Sequence, residues 1–247
     1  MKRLSLMIAG VLLLSVWSSS TAWAEDGAEG AKEEAEPEPV LGGFVYGSAA
    51  FAAGRIGGVK QLTDPDVLGP DGFPGNRALM LGGGGRAFFD RVMIGASAFG
   101  LFFEDANTDL GTAKQSGYGG GLTFGYSWHK GNRLFYPYVG LGGGELSIEI
   151  VNKSDRVMNY GDFPIPVGES RTISDGYIYT ELGLGWQWFL PEMDGGGVVG
   201  FEVGALASVA GGEWSGPNSE QIEGAEKGGY SGLYVRFTVG GGGFWME

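Results

Sequence analysis

From residue 41 to its end, this chain alternates bulky apolar residues with small or polar ones. Tyr118, Leu122, Phe124, Tyr126 and Trp128 share one parity; Gly119, Gly121, Thr123, Gly125 and Ser127 share the other. Val199, Phe201, Val203, Ala205, Ala207 and Val209 stand in the same way against Gly200, Glu202, Gly204 and Ser208. A two-residue period marks a β-strand with unlike faces. Eight segments follow it: Gly43–Gly54, Ala78–Phe89, Val92–Glu104, Gly117–Trp128, Phe135–Ile150, Gly176–Leu190, Val198–Gly211 and Tyr230–Trp245. No segment sustains a helical period.

The connections alternate in length. Asp90-Arg91, His129–Leu134 and Pro191–Gly197 are short, whereas Arg55–Arg77, Asp105–Ser116, Val151–Asp175 and Gly212–Gly229 are long. Short turns at one end and long loops at the other are the habit of an up-and-down membrane barrel. The pattern therefore predicts an all-β fold, an eight-stranded antiparallel up-and-down transmembrane β-barrel with four long outer loops. An even strand number returns both chain ends to the short-turn side.

Charges fall on the glycine-rich faces. Arg86, Glu145, Glu181, Glu202 and Arg236 are predicted to point inward as a paired network, because a lone charge in a narrow lumen is costly. The bulky faces then look outward to lipid. Aromatic residues support that choice. Trp128, Phe135, Tyr136, Trp186, Trp188, Phe189, Phe244 and Trp245 gather at the short-turn end, and Phe102, Phe103, Tyr118, Tyr177, Tyr179 and Tyr230 gather at the long-loop end. Two such groups read as interfacial belts.

Composition adds boundaries. Lys2-Arg3, the apolar run Leu4–Val16 and Ala22-Trp23-Ala24 read as a secretory signal peptide over residues 1–24. Residues 25–40 read as an acidic flexible periplasmic tail, and residues 41–247 as the barrel. The formal charge of −13 argues against nucleic acid as a partner. Fifty glycines among 247 residues far exceed the usual share of about 7%, which fits strands curved tightly into a small barrel. Gly142–Gly144 is a candidate bulge, since Val139 and Leu141 differ in parity from Leu146, Ile148 and Ile150.

Candidate chemistry is sparse. One histidine, His129, and no cysteine leave no zinc site and no histidine-assisted nucleophile at the outer rim. Asp105-Ala-Asn107-Thr-Asp109 begins like a calcium loop, but Leu110 and Ser116 stand where glycine and a bidentate glutamate belong. Glu213, Glu220, Glu223 and Glu226 make the fourth long loop acidic. The expectation is a non-enzyme with no catalytic residue, metal or cofactor.

The closing strand Tyr230–Trp245, ending on Phe244-Trp245, resembles the C-terminal assembly signal of outer-membrane barrels, and residues 41–245 resemble the OmpA-, OmpX- and OmpW-type small barrels. The resemblance implies the outer membrane of a Gram-negative bacterium with both termini periplasmic. It implies contact with outer-membrane lipid and lipopolysaccharide, recognition by the barrel-assembly machinery, and loops that would carry any extracellular ligand. The expected role is structural or surface-interacting, with the lumen plugged by interior Arg/Glu pairs. OmpW-like, porin-like binding or passage of small apolar solutes is the second reading. A lipid-modifying outer-membrane enzyme and a soluble lipid-binding barrel are the further rivals.

Overall fold

The computed structural model describes residues 40–57, 76–160, 163–190, 196–216, 221–222 and 227–246. The expected signal peptide and, except for Val40, the acidic tail lie outside the described residues, as do Glu220, Glu223 and Glu226. Eight long strands form the barrel: β1 (Val40–Ile56), β2 (Arg77–Phe89), β3 (Val92–Phe103), β4 (Gly111–Tyr126), β5 (Arg133–Asn152), β6 (Ser170–Leu190), β7 (Gly197–Gly211) and β8 (Tyr230–Met246). Each pairs antiparallel with the next, and β8 closes on β1 from Val40↔Met246 to Ile56↔Tyr230. The start of β1 and the end of β8 lie at the short-turn end. Closure leaves no long strand with a free edge, which removes the need for an edge cover.

Strand faces alternate as the sequence pattern requires, but their polarity inverts along β4, β5 and β6. In the lower part, nearer the short turns, apolar residues point out. Leu122, Phe124, Val139, Leu141, Leu182 and Leu184 are exposed, while Thr123, Tyr138, Glu181 and Gln187 are buried inside. In the upper part the order reverses. Lys114, Ser116, Ser147, Glu149 and Thr172 now point out, while Ala113, Leu146, Ile148, Ile150 and Ile173 fill the interior. Leu141 is 59% exposed and Leu146 is fully buried, five residues along one unbroken strand.

That change of side corrects the expected bulge at Gly142–Gly144. Registers of β5 with β4 and with β6 run straight through those glycines. Nothing in the backbone shifts; the polarity of the two faces does. The register shift in the barrel lies instead between β6 and β7 at Ile178/Tyr179, where Val209 is the additional residue. β5 and β6 have 20 and 21 residues, about twice the ~9–11 that a tilted strand needs to cross a bilayer. Their upper halves form an extension with water-soluble polarity.

Aromatic side chains divide the same way. Tyr126, Trp128, Phe135, Trp186, Trp188 and Phe201 form a continuous outward girdle near the short turns, with ring centroids 4.8–6.5 Å apart. Phe102 and Tyr118 are exposed near the long loops. Tyr136, Phe189, Phe103, Tyr177, Tyr179 and Tyr230, expected in the belts, are buried within the barrel. The side chains of Phe244 and Trp245 lie outside the described residues; their backbone pairs with Gly42 and Leu41.

The interior tyrosines find room through glycine. Tyr46, Tyr136, Tyr138, Tyr177, Tyr179 and Tyr234 are the cross-strand partners of Gly84, Gly185, Gly183, Gly144, Gly142 and Gly204. A Cβ on Gly183 would sit 2.5 Å from the Tyr138 ring, and one on Gly142 would sit 2.5 Å from that of Tyr179. Each glycine gives up its side chain so that a neighbouring ring can lie over bare backbone, the pairing that protects strand glycines from solvent.

Two outward substitutions separate the zones. Leu141→Arg, in the apolar zone, is expected to lower unfolding free energy in lipid vesicles by about 2–4 kcal/mol. Ser147→Arg, on the same face in the polar zone, is expected to leave it unchanged. Denaturant titration by tryptophan fluorescence checks both.

Candidate functional site

Within the lower barrel, every strand contributes to one buried polar cluster. Glu202 on β7 and Arg236 on β8 are direct cross-strand partners. Arg236 Nη1 donates to Glu202 Oε2 at 2.8 Å, and Arg86 Nη2 on β2 reaches Glu202 Oε1 at 2.5 Å. Tyr136 and Tyr138 on β5 donate to the same carboxylate at 2.7 and 3.1 Å. Glu202 thus accepts four bonds, two from guanidiniums and two from phenols.

Glu181 on β6 completes the charge balance. Its Oε1 lies 3.5 Å from Arg236 Nη2 and accepts from the hydroxyl of Tyr234 on β8. Two guanidiniums face two carboxylates, all fully buried, so the cluster is neutral as a unit. The other strands brace it. Thr123 on β4 accepts from Arg86 at 3.1 Å, Met93 sulfur on β3 lies 3.9 Å from Arg86 Nη1, and the Tyr46 ring on β1 lies 5.6 Å from the Arg86 guanidinium carbon. Tyr138 and Tyr136 rings also flank Arg86, at 4.6 and 5.0 Å. Gln187 donates to Tyr136 and accepts from Thr238, extending the network towards the short turns.

Four of the five charges read from the sequence as interior therefore meet: Arg86, Glu181, Glu202 and Arg236. Glu145 does not. It stands on the outer face of β5, where it accepts a 2.9 Å bond from exposed Tyr118. The reason is the polarity inversion: Leu146 and Ile148 take the interior there, so Glu145 faces outward. The tyrosines were the missed partners. Their signal was parity, since Tyr234 precedes Arg236 by two residues on the same face of its strand.

The ionic cluster is bounded by apolar layers. Phe44, Phe88, Leu134, Phe189 and Val198 lie in a buried cluster on the short-turn side. On the other side, Met80, Phe99, Leu101, Leu146, Ile148, Tyr177 and Tyr230 belong to a larger one. Loop residues join its upper part. Trp214 and Ile222, from the segment after β7, and Ile165, from the segment before β6, are buried there. Ser215 holds that segment by paired backbone bonds to Ser174 of β6, at 2.9 and 3.0 Å.

Asp175 lies beneath both stems of this fourth long loop. It is buried in the extension, with its carboxylate against the backbone of Gly212 and of Gly228. Burial pushes its carboxyl above the usual range, partly offset by the amides of Gly228 and Gly212. Tyr177 follows Asp175 by two residues on the same face of β6, and Lys227 and Glu213 on the stems are exposed.

Asp105 to Asp109 forms part of a tight hairpin, in which Asn107 accepts from Thr112 at 2.9 Å. No group of three or more His, Cys, Asp or Glu side chains that could hold a metal occurs among the described residues. His129 sits in the short connection between β4 and β5, its backbone paired with Leu134.

No family model and no curated protein matches this chain. Among solved structures, the outer membrane protease OmpT from Escherichia coli is similar at a TM-score of 0.37 and 8% identity, over 85% of this chain and 97% of that one. At that level neither architecture nor activity is transferred.

Two outcomes follow from the buried charges. Arg236→Ala leaves Glu181 and Glu202 under-compensated and is expected to cost about 3–5 kcal/mol, measured by urea unfolding in vesicles. Asp175, raised in the docked state, favours docking fully below the ordinary carboxylate range and less as pH rises through its raised value. Acrylamide quenching of Trp214 should therefore grow from acidic to neutral pH, and Asp175→Asn should abolish that rise.

Proposed function

We propose that this protein is a non-enzymatic outer-membrane barrel of a Gram-negative bacterium, with a closed lumen, short turns and both strand ends periplasmic, and a structural or surface-interacting role. The observation that carries the reading is the inside-out polarity of the lower barrel. A zone with apolar residues outside and ion pairs inside suits lipid, and suits water poorly. A soluble lipid-binding barrel would place its bulky residues inside along the whole strand.

The closed lumen rests on the same cluster. Glu202 is held by Arg86 and Arg236 from opposite sides, and apolar layers cover it above and below. A narrow eight-stranded interior has room for its own side chains and little else. A solute would have to displace contacts from every strand to pass. The mouth is covered by Trp214, Ile222 and Ile165, so contacts with partners would be made by loop surfaces and by the polar extension.

Planar-bilayer recording tests this reading. The reconstituted protein is expected to give no steady unit conductance at neutral pH. A stable ohmic pore in the wild-type chain would contradict the closed lumen and favour solute passage.

A further inference from the structure

Three strand ends and one buried carboxylate meet at the long-loop end of the barrel. β1 ends at Ile56, β7 ends at Gly211 and β8 begins at Tyr230. Just past β1, Gly57 donates its N–H to the carbonyl of Gly229 at 2.8 Å; just past β7, Gly212 donates to the carbonyl of Gly176 on β6 at 2.7 Å. The stems pack backbone against backbone. A Cβ on Gly57 would sit 2.8 Å from the Lys227 carbonyl oxygen, and one on Gly211 would meet the carbonyl of Gly228. Gly229, at φ 127°, has a conformation that side chains resist. Asp175 enters this knot from β6. Its Oδ1 lies 2.6 Å from where a Gly212 Cβ would stand, and its Oδ2 lies closer still to that of Gly228. One carboxylate thus touches both stems of the fourth long loop, one oxygen to each. Gly228 leads into Gly229, which holds Gly57 of the first long loop. Gly212 leads into buried Trp214 and into Ser215, whose N–H donates to the Ser174 carbonyl at 2.9 Å.

We infer that Asp175 is a clasp that makes the stems of the first and fourth long loops one cooperative unit, so that Trp214 leaves the mouth only as Gly57 is released. A buried carboxylate needs donors, and the amides of Gly212 and Gly228 supply them. If either stem departs, the carboxylate loses one donor and holds the other stem less well. Two segments that share one partner are coupled, and the coupling acts equally in both directions. A partner that draws out the segment after β7 would therefore loosen the start of the first loop, and a partner that pulls on the first loop would loosen the cover over the mouth. The inference rests on the closed-lumen reading above and deepens it by naming what regulates the mouth.

Native-state hydrogen exchange of the full chain in vesicles, resolved to single amides, tests it. In wild type, the amides of Gly57, Gly212 and Ser215 are expected to open with one common free energy and one common dependence on urea, as members of one unit do. In Asp175→Ala all three should exchange about tenfold faster or more, by a shared factor, while Phe189, whose N–H bonds to Asn132 at the short-turn end, keeps its rate. Faster exchange at Gly212 and Ser215 with Gly57 unchanged would overturn the coupling, and no change at any of the three would overturn the clasp. Should the variant also speed Phe189, the wild-type urea series decides alone: separate openings of Gly57 and Ser215 contradict the inference, and a shared one supports it. A steady pore in the wild-type chain would instead sink the closed-lumen reading, whatever these rates show.

Discussion

A carboxylate deep inside a narrow barrel has no water to turn to, and the compensation of Glu202 organises the rest of this molecule. Two guanidiniums and two phenols from β2, β5 and β8 converge on it. Removing either guanidinium leaves carboxylate charge under-compensated where desolvation cannot be relieved. Because the donors come from strands on both sides of the barrel, the cluster also ties register. A one-residue slip of β8 would carry Arg236 to the outer face and bring Val235 or Phe237 inward. The interior glycines serve the same end, since the Tyr136 and Tyr138 rings reach the cluster across Gly185 and Gly183.

The ionic middle makes sense only together with what lies outside the wall. Where the outer face is apolar, the core is polar and tied by charge-assisted bonds. Where the outer face carries Lys114, Ser147 and Glu149, the core becomes Leu146, Ile148 and Ile150. A single sheet thus holds two regimes of side-chain polarity, with the change near Gly142–Gly144. Loop residues complete the upper regime, since Trp214 and Ile222 bury themselves in it as they would in the core of a soluble domain.

Much of the architecture was legible in the chain. Strand number, order, the alternation of short and long connections, and four of the five interior charges all follow from period and parity. The differences in strand bounds, at Gly142–Gly144 and at Glu145 share one cause. β4 begins at Gly111 rather than Gly117, and β6 at Ser170 rather than Gly176, because the apolar parity changes sides in the extension and the pattern there looks like loop. The same change imitates a bulge at Gly142–Gly144 and misplaces Glu145. Tyr177, Tyr179 and Tyr230 are interfacial by residue type but buried in the structure, and for Tyr177 and Tyr179 the parity shared with Glu181 already points inward.

The central claim is that the lower outer face meets acyl chains while the capped mouth does not. Single-tryptophan versions of the chain, reconstituted in vesicles whose lipids carry bromine on the acyl chains, test it directly. The account predicts strong quenching of Trp186 in the outward girdle and little change at buried Trp214. Equal quenching at the two positions, or quenching confined to Trp214, would contradict it.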